Sequence, residues 1–160
     1  YQDMFLPSGK KLPPLSEKIR PAVAGDISAI LQLEEQISGI RREKDWRYFL
    51  ANETGIWRGF VFEEEGKIAG VLFSVNHPGS CLRGPGVMRT EDSAFELIVA
   101  QLTGFKEASP VFLVPVTASV LVQNLYRLGA RNCEIHLGQV LGKAREPAGI
   151  VMPTFMPETG

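Results

Sequence analysis

The sequence predicts an α/β (α+β) domain whose strands and helices follow one another as β-α-α-β-β-β-α-β-α-β-β. Three stretches carry that reading. Residues 110–137 hold a short apolar run, Val111–Val114, that ends in Pro115. Ala118, Leu121, Val122, Leu125 and Leu128 follow at the three- and four-residue spacing of a helix face, and Gly129 closes the pattern. Residues 56–63 and Lys67–Val75 read as two strands joined through Glu64, Glu65 and Gly66, a hairpin. Asp26 stands before Ile27, Ile30, Leu31 and Ile37, which line one side of a helix that stops at Gly39.

The remaining elements fall between these. Residues 18–23 form a short first strand, and a second helix over 42–52 packs through Trp46, Phe49 and Leu50. His77-Pro78-Gly79 is a turn and 81–88 the next strand. Thr90 or Asp92 caps a third helix with Phe95, Ile98, Val99 and Leu102 in register. Strands near 132–137 and 149–155 close the chain. Residues 1–16, YQDMFLPSGKKLPPLS, carry three prolines and a glycine and read as a linker or the tail of a preceding element. That leaves 17–160 as the domain.

A chain of 160 residues fits one globular domain with a real core. Its 44% hydrophobic and 22% charged residues suit a folded, soluble protein. The net charge of −1 gives no electrostatic case for nucleic acid or an anionic membrane as a partner. No apolar run approaches the length of a membrane span and no signal-peptide pattern opens the chain, so a cytoplasmic location is expected. His77 and Cys81, with Cys133 and His136, invite a zinc reading. The last two are three apart in a strand and so face opposite sides, which argues against it, and no metal is expected. A disulfide between Cys81 and Cys133 is not expected in a reducing compartment.

Several strings resemble the GCN5-related N-acetyltransferase (GNAT) superfamily. Leu125-Tyr126-Arg127-Leu128-Gly129-Ala130-Arg131 is similar to that family's Leu-Tyr pair before Leu-Gly-Phe-Arg, with Ala130 in the aromatic position. Leu33-Glu34-Glu35 through Ser38-Gly39-Ile40-Arg41-Arg42 resembles the segment between the first two helices in the C-terminal halves of tandem GNAT proteins. Arg83-Gly84-Pro85-Gly86-Val87-Met88-Arg89 resembles their fourth strand, and Pro153-Thr154-Phe155-Met156-Pro157-Glu158 their closing strand. The resemblance implies a mixed, mostly antiparallel sheet of six or seven strands with about four helices, splayed between strands four and five. Those two strands should be the only parallel neighbours, since the third helix supplies the crossover that parallel pairing needs. It also implies a preceding GNAT domain as a possible partner.

In that family an acyl-CoA inserts into the splay, its pantetheine arm bonding the fourth strand like an added strand. The resemblance thus assigns acetyl-CoA, as cosubstrate, to Gly84, Gly86, Val87 and Met88, with Pro85 tolerated where the strand peels away. The pyrophosphate would lie at the start of the third helix, on Arg89, Thr90 and Ser93, with Asn124 beside it. No glycine stands in residues 88–94, and Glu91 and Asp92 place two carboxylates where the phosphates belong, so binding should be weak. Tyr126 matches the tyrosine that protonates the departing thiolate, a role open to a phenol held toward the sulfur. Glu63 and Glu64 are candidate general bases, Ser119 a further helix position facing CoA or water. Arg41, Arg42, Trp46 and Arg47 border the expected acceptor site.

Two functions follow from the resemblance. One is an N-acetyltransferase that passes an acyl group from acetyl-CoA to an amine of a small molecule or peptide by direct attack. The other is a catalytically degenerate GNAT-fold domain with a structural or ligand-sensing role beside another catalytic domain.

Overall fold

The computed structural model describes residues 1–76, 82–104, 109–143 and 145–153. Within them the chain forms one eight-stranded sheet and four α-helices: β1 (Gln2–Phe5), β2 (Ile19–Pro21), α1 (Ile27–Ser38), α2 (Glu43–Ala51), β3 (Trp57–Glu64), β4 (Lys67–Val75), β5 (Leu82–Met88), α3 (Glu91–Leu102), β6 (Val111–Val114), α4 (Ser119–Leu128), β7 (Arg131–Ile135) and β8 (Ile150–Met152). The sheet runs β2-β3-β4-β5-β6-β1-β7, with β8 on β5. Every strand pair is antiparallel except β5 with β6. The fourth and fifth predicted strands are β5 and β6, and they are parallel as expected.

Alternation along the strands divides the core into two layers. Val61, Val71, Phe73, Val75 and Val87 pack under α1 and α2 with Ile30, Leu33, Ile37, Trp46 and Phe49. Phe60, Phe62, Leu72 and Met88 face the other side, with Leu97 and Ile98 of α3 and Leu121 and Leu125 of α4. Gly39 and Gly129 end α1 and α4 in the left-handed conformation, at φ 73° and 99°.

One expectation changes. Residues 2–5, read as part of a linker or tail, form a strand held on both edges: Gln2 pairs with Val114 on β6 and with Ile135 on β7. Met4 is wholly buried in the layer under α3 and α4. The prolines and the glycine that suggest a linker all lie beyond this strand, at 7, 9, 13 and 14. A four-residue strand alternates too briefly to be separated from irregular chain. The last strand, expected over 149–155, is described only as far as 153, and the string from Thr154 to Glu158 lies outside the described residues.

Candidate functional site

The expected acyl-CoA cleft starts where β5 and β6 part. Among the described residues they are paired only at Leu82 with Val111 and Arg83 with Phe112. Beyond that point the edge of β5 facing β6 is taken by β8, antiparallel, with Gly86 opposite Met152, Val87 opposite Val151 and Met88 opposite Ile150. These are the β5 residues assigned to the pantetheine arm. Ile150 and Met152 are buried in the same layer as Met88, Phe112 and Val114, so β8 is a core strand. It is tied at its start by the Ala148 N–H, which donates to the Ile37 carbonyl at 2.8 Å. Gly149 lies so close to β5 that a Cβ there would sit 2.5 Å from the Met88 carbonyl oxygen. A cleft of about 400 Å³ remains at the mouth of the splay, between Pro115, Val116 and Thr117 on one side and Pro147, Gly149 and Val151 on the other.

A Cβ on Gly86 would meet Leu72 Cδ1 at 2.6 Å and the Val71 carbonyl at 2.8 Å, so Gly86 serves the close approach of β4. Around Gly84 and Pro85 the β4–β5 register shifts between Leu72 and Ser74, and proline has no N–H for the ladder. Gln101, wholly buried on α3, compensates: its Nε2 donates to the carbonyls of Leu72 (2.6 Å) and Arg58 (2.9 Å), and its Oε1 accepts from the Ser74 hydroxyl (2.7 Å). Arg83 is also buried and donates through Nη1 to the carbonyls of Val75 and Leu82.

The start of α3 is closed on itself. Thr90 is the N-cap: its Oγ1 accepts from the Ser93 N–H at 3.1 Å, and Ser93 Oγ accepts from the Thr90 N–H at 3.3 Å. Both hydroxyls assigned to phosphate are therefore spent within the helix end, and Ser93 is 1% exposed. Glu91 reaches across to α4, where its carboxylate accepts the Leu121 N–H at 2.6 Å. One helix's first-turn carboxylate thus caps the next helix. Arg89 turns to the opposite side of the sheet and donates to Gln36 of α1.

Tyr126 and Asn124 are not brought together. Two residues apart on one helix, they lie about 200° around its axis from each other. Asn124 faces a groove formed with Phe95 and the 11–14 segment and accepts from Arg127 at 3.0 Å. Tyr126 is half exposed, on another side of α4. The candidate bases are engaged at the β3–β4 hairpin end: Glu63 accepts from Arg20 at 2.7 Å, and Glu64 pairs with Lys18 at 3.0 Å. Arg20 also grips Asp26 through both oxygens, at 2.8 and 2.9 Å, and holds that carboxyl below the usual aspartate range. The basic residues near the expected acceptor site are likewise paired. Arg47 bonds Glu43, Arg41 lies near Glu35 and Glu43, and Arg42 is bound to Glu34.

The Glu34 carboxylate is completely buried and accepts from both the backbone N–H and the Nε of Arg42, each at 2.7 Å. It thereby caps the N-terminus of α2. Trp46 beneath it is core, 0% exposed. Cys133 is exposed on β7, and partial desolvation, followed by the charges of Asp3 and Glu134, pushes its thiol up. His77 and Cys81 lie outside the described residues. No described helix is long and apolar enough to cross a membrane.

Two features escaped sequence reasoning and shape the site. The closure of the β5 edge by β8 had no local signal. Gln101 had one: it is the single polar residue in the run Leu97-Ile98-Val99-Ala100-Gln101-Leu102.

No protein-family model and no curated protein sequence matches the chain. Solved structures do. A protein assigned to the GNAT acetyltransferases from Novosphingobium aromaticivorans DSM 12444 superposes with a TM-score of 0.56 at 13% identity, over 82% of this chain and 59% of its own. An acetyltransferase of the GNAT family from Colwellia psychrerythraea gives 0.57 at 11% identity, over 82% of this chain and 52% of its own. The chain thus spans just over half the length of either structure. The parallel β5–β6 pair, the α3 crossover between them and these superpositions together show that this chain has the GNAT acetyltransferase fold.

Proposed function

We propose that this chain is one half of a GNAT-type acetyltransferase and is itself the non-catalytic, structural or ligand-sensing half. The observation that carries the reading is β8 on the free edge of β5. The backbone groups that would hold the pantetheine arm, at Gly86, Val87 and Met88, already have a strand beside them. Removing it would expose Ile150 and Met152, and burial of one such side chain is worth about 1.5–3 kcal/mol. The α3 terminus supports the same reading. Its hydroxyls cap the helix, and Glu91, bonded to α4, sets a negative charge where phosphates would approach. The two similar structures share only 59% and 52% of their own length with this chain and leave room for a second domain in which acyl transfer would reside.

A second reading keeps acyl transfer in this chain. It rests on the divergence of β5 and β6 after two residue pairs and on the exposure of Tyr126. β8 would then leave the β5 edge when acetyl-CoA enters, and Tyr126 would protonate the CoA thiolate as an amine attacks the thioester carbon.

Calorimetry with acetyl-CoA on this chain, paired with a free-thiol assay in the presence of amine acceptors, separates the two. The proposed reading expects no binding heat at millimolar ligand and no CoA release. Acetyl-dependent thiol release that drops about 10²–10⁴-fold in Tyr126→Phe would establish the second reading instead.

A further inference from the structure

Asp3 on β1 and Glu134 on β7 stand directly opposite each other in the sheet. Two carboxylates in such a cross-strand pair repel. His136 lies two residues beyond Glu134, hence on the same side of the strand. Its Nε2 is 3.2 Å from Glu134 Oε1 and 3.6 Å from Asp3 Oδ2. One donor atom from each of the three residues falls within 4.8 Å of the others. Donors bound to a tetrahedral zinc at about 2.0–2.2 Å lie roughly 3.3–3.6 Å apart, so the two measured spacings fit around one small ion.

Asp3 is the most enclosed of the three: its side chain is 14% exposed, and its Oδ1 is buried with no hydrogen-bond partner among the described residues. A divalent ion would set two positive charges against the two carboxylates, with an imidazole nitrogen as its third ligand.

We propose that Asp3, Glu134 and His136 bind a divalent first-row transition-metal ion, of the zinc class, that clamps β1 to β7. The donor set, one imidazole and two carboxylates, is of the type zinc accepts, with a remaining position for water. Its role is structural. Tyr1 and His136 already exchange backbone hydrogen bonds, at 2.8 and 2.9 Å, and the ion would fix the same junction through side chains. The Cys133 thiol is not among the donor atoms that lie within 4.8 Å of one another and takes no part.

Zinc sulfate titrated into the metal-free chain by calorimetry tests the site, with cobalt(II) absorption as the second readout. One zinc per chain should bind, raising Tm, and the cobalt spectrum should lack a thiolate charge-transfer band. Asp3→Asn and His136→Ala should weaken zinc by about tenfold or more, while Cys133→Ser leaves it unchanged. Should Asp3→Asn not fold, Glu134→Gln, at an exposed position, serves in its place with the same expected loss. Absence of zinc binding, equal binding in the ligand variants, or loss in Cys133→Ser would each overturn the proposal and leave an ion pair between His136 and the two carboxylates.

Discussion

On one flank of β5 the sheet consists of strands that follow one another in the chain, β2, β3 and β4, covered by α1 and α2. On the other it is assembled from β6, β1, β7 and β8, with residue 2 beside residues 114 and 135 and residue 152 beside residue 86. The first flank owes its order to a hairpin and to polar groups buried inside it, Glu34 with Arg42 and Gln101 with the irregular β4–β5 pairing. The second is held by backbone pairing and apolar burial among segments far apart in sequence. The region expected to bind a ligand belongs to the second flank, where β8 pairs with β5. A strand edge that a family pattern assigns to a ligand can therefore lie beside a remote segment of the same chain.

Four substitutions break or sharpen this contrast. Glu34→Ala should have the largest effect. It strips Arg42 of its buried partner and α2 of its cap, and the loss should be about 3 kcal/mol, the upper end for hydrogen bonds to a charged group, since Arg42 itself stays partly in water. Urea unfolding of the variant would measure it, with the α1–α2 layer melting first. Gln101→Leu leaves the Leu72 and Arg58 carbonyls and the Ser74 hydroxyl without their partner, a loss of about 2 kcal/mol. Thermal unfolding should show it, and a variant as stable as the parent would mean that water replaces the amide.

Gly149→Ala acts on the other flank. The added methyl drives against the Met88 carbonyl and should lever β8 from β5, at about 1–2 kcal/mol. Hydrogen exchange should quicken at residues 150–152 and 86–88 while the β3–β4 hairpin keeps its protection. Asp26→Asn should have the smallest effect, about 1 kcal/mol at neutral pH. Asp26 titrates below its ordinary value in the folded protein, so its contribution is complete above the usual aspartate pKa of about 3.9. It fades as the pH falls from there through the lowered folded-state value. The stability gap between parent and variant should accordingly close in acid.

The first flank was legible because its signals are local. The span Lys67–Val75, the stop at Gly39 and the helix-faced apolar residues of α1 each lie within one short window. The pairing of β5 with β6 also followed from the sequence, since a helix-length crossover dictates parallel strands. β1 was not legible. Gln-Asp-Met-Phe carries little alternation, and its burial is decided by strands more than a hundred residues away. The same holds for the site. Tyr126 could be placed on the fourth helix from its spacing to Gly129, but its side of that helix depends on how α4 packs through Leu121 and Leu125. Ser93 and Thr90 read as phosphate ligands because hydroxyls at a helix start serve either an anion or the helix itself, and in the structure they bond each other.

The position of β1 has a consequence for how the chain is made. Residues 2–5 leave the ribosome before both strands that flank them, at 111–114 and 131–135. The α1–α2 layer and its hairpin can close while the chain is still growing. The outer half must wait until residues 111–135 have emerged, with Met4 and Leu6 held unpaired beside a nascent core. Closing a loop of this length slows folding more than it weakens the finished sheet. A stalled chain ending before residue 111 should thus display a protease-sensitive N-terminal segment attached to a protected hairpin and helix pair.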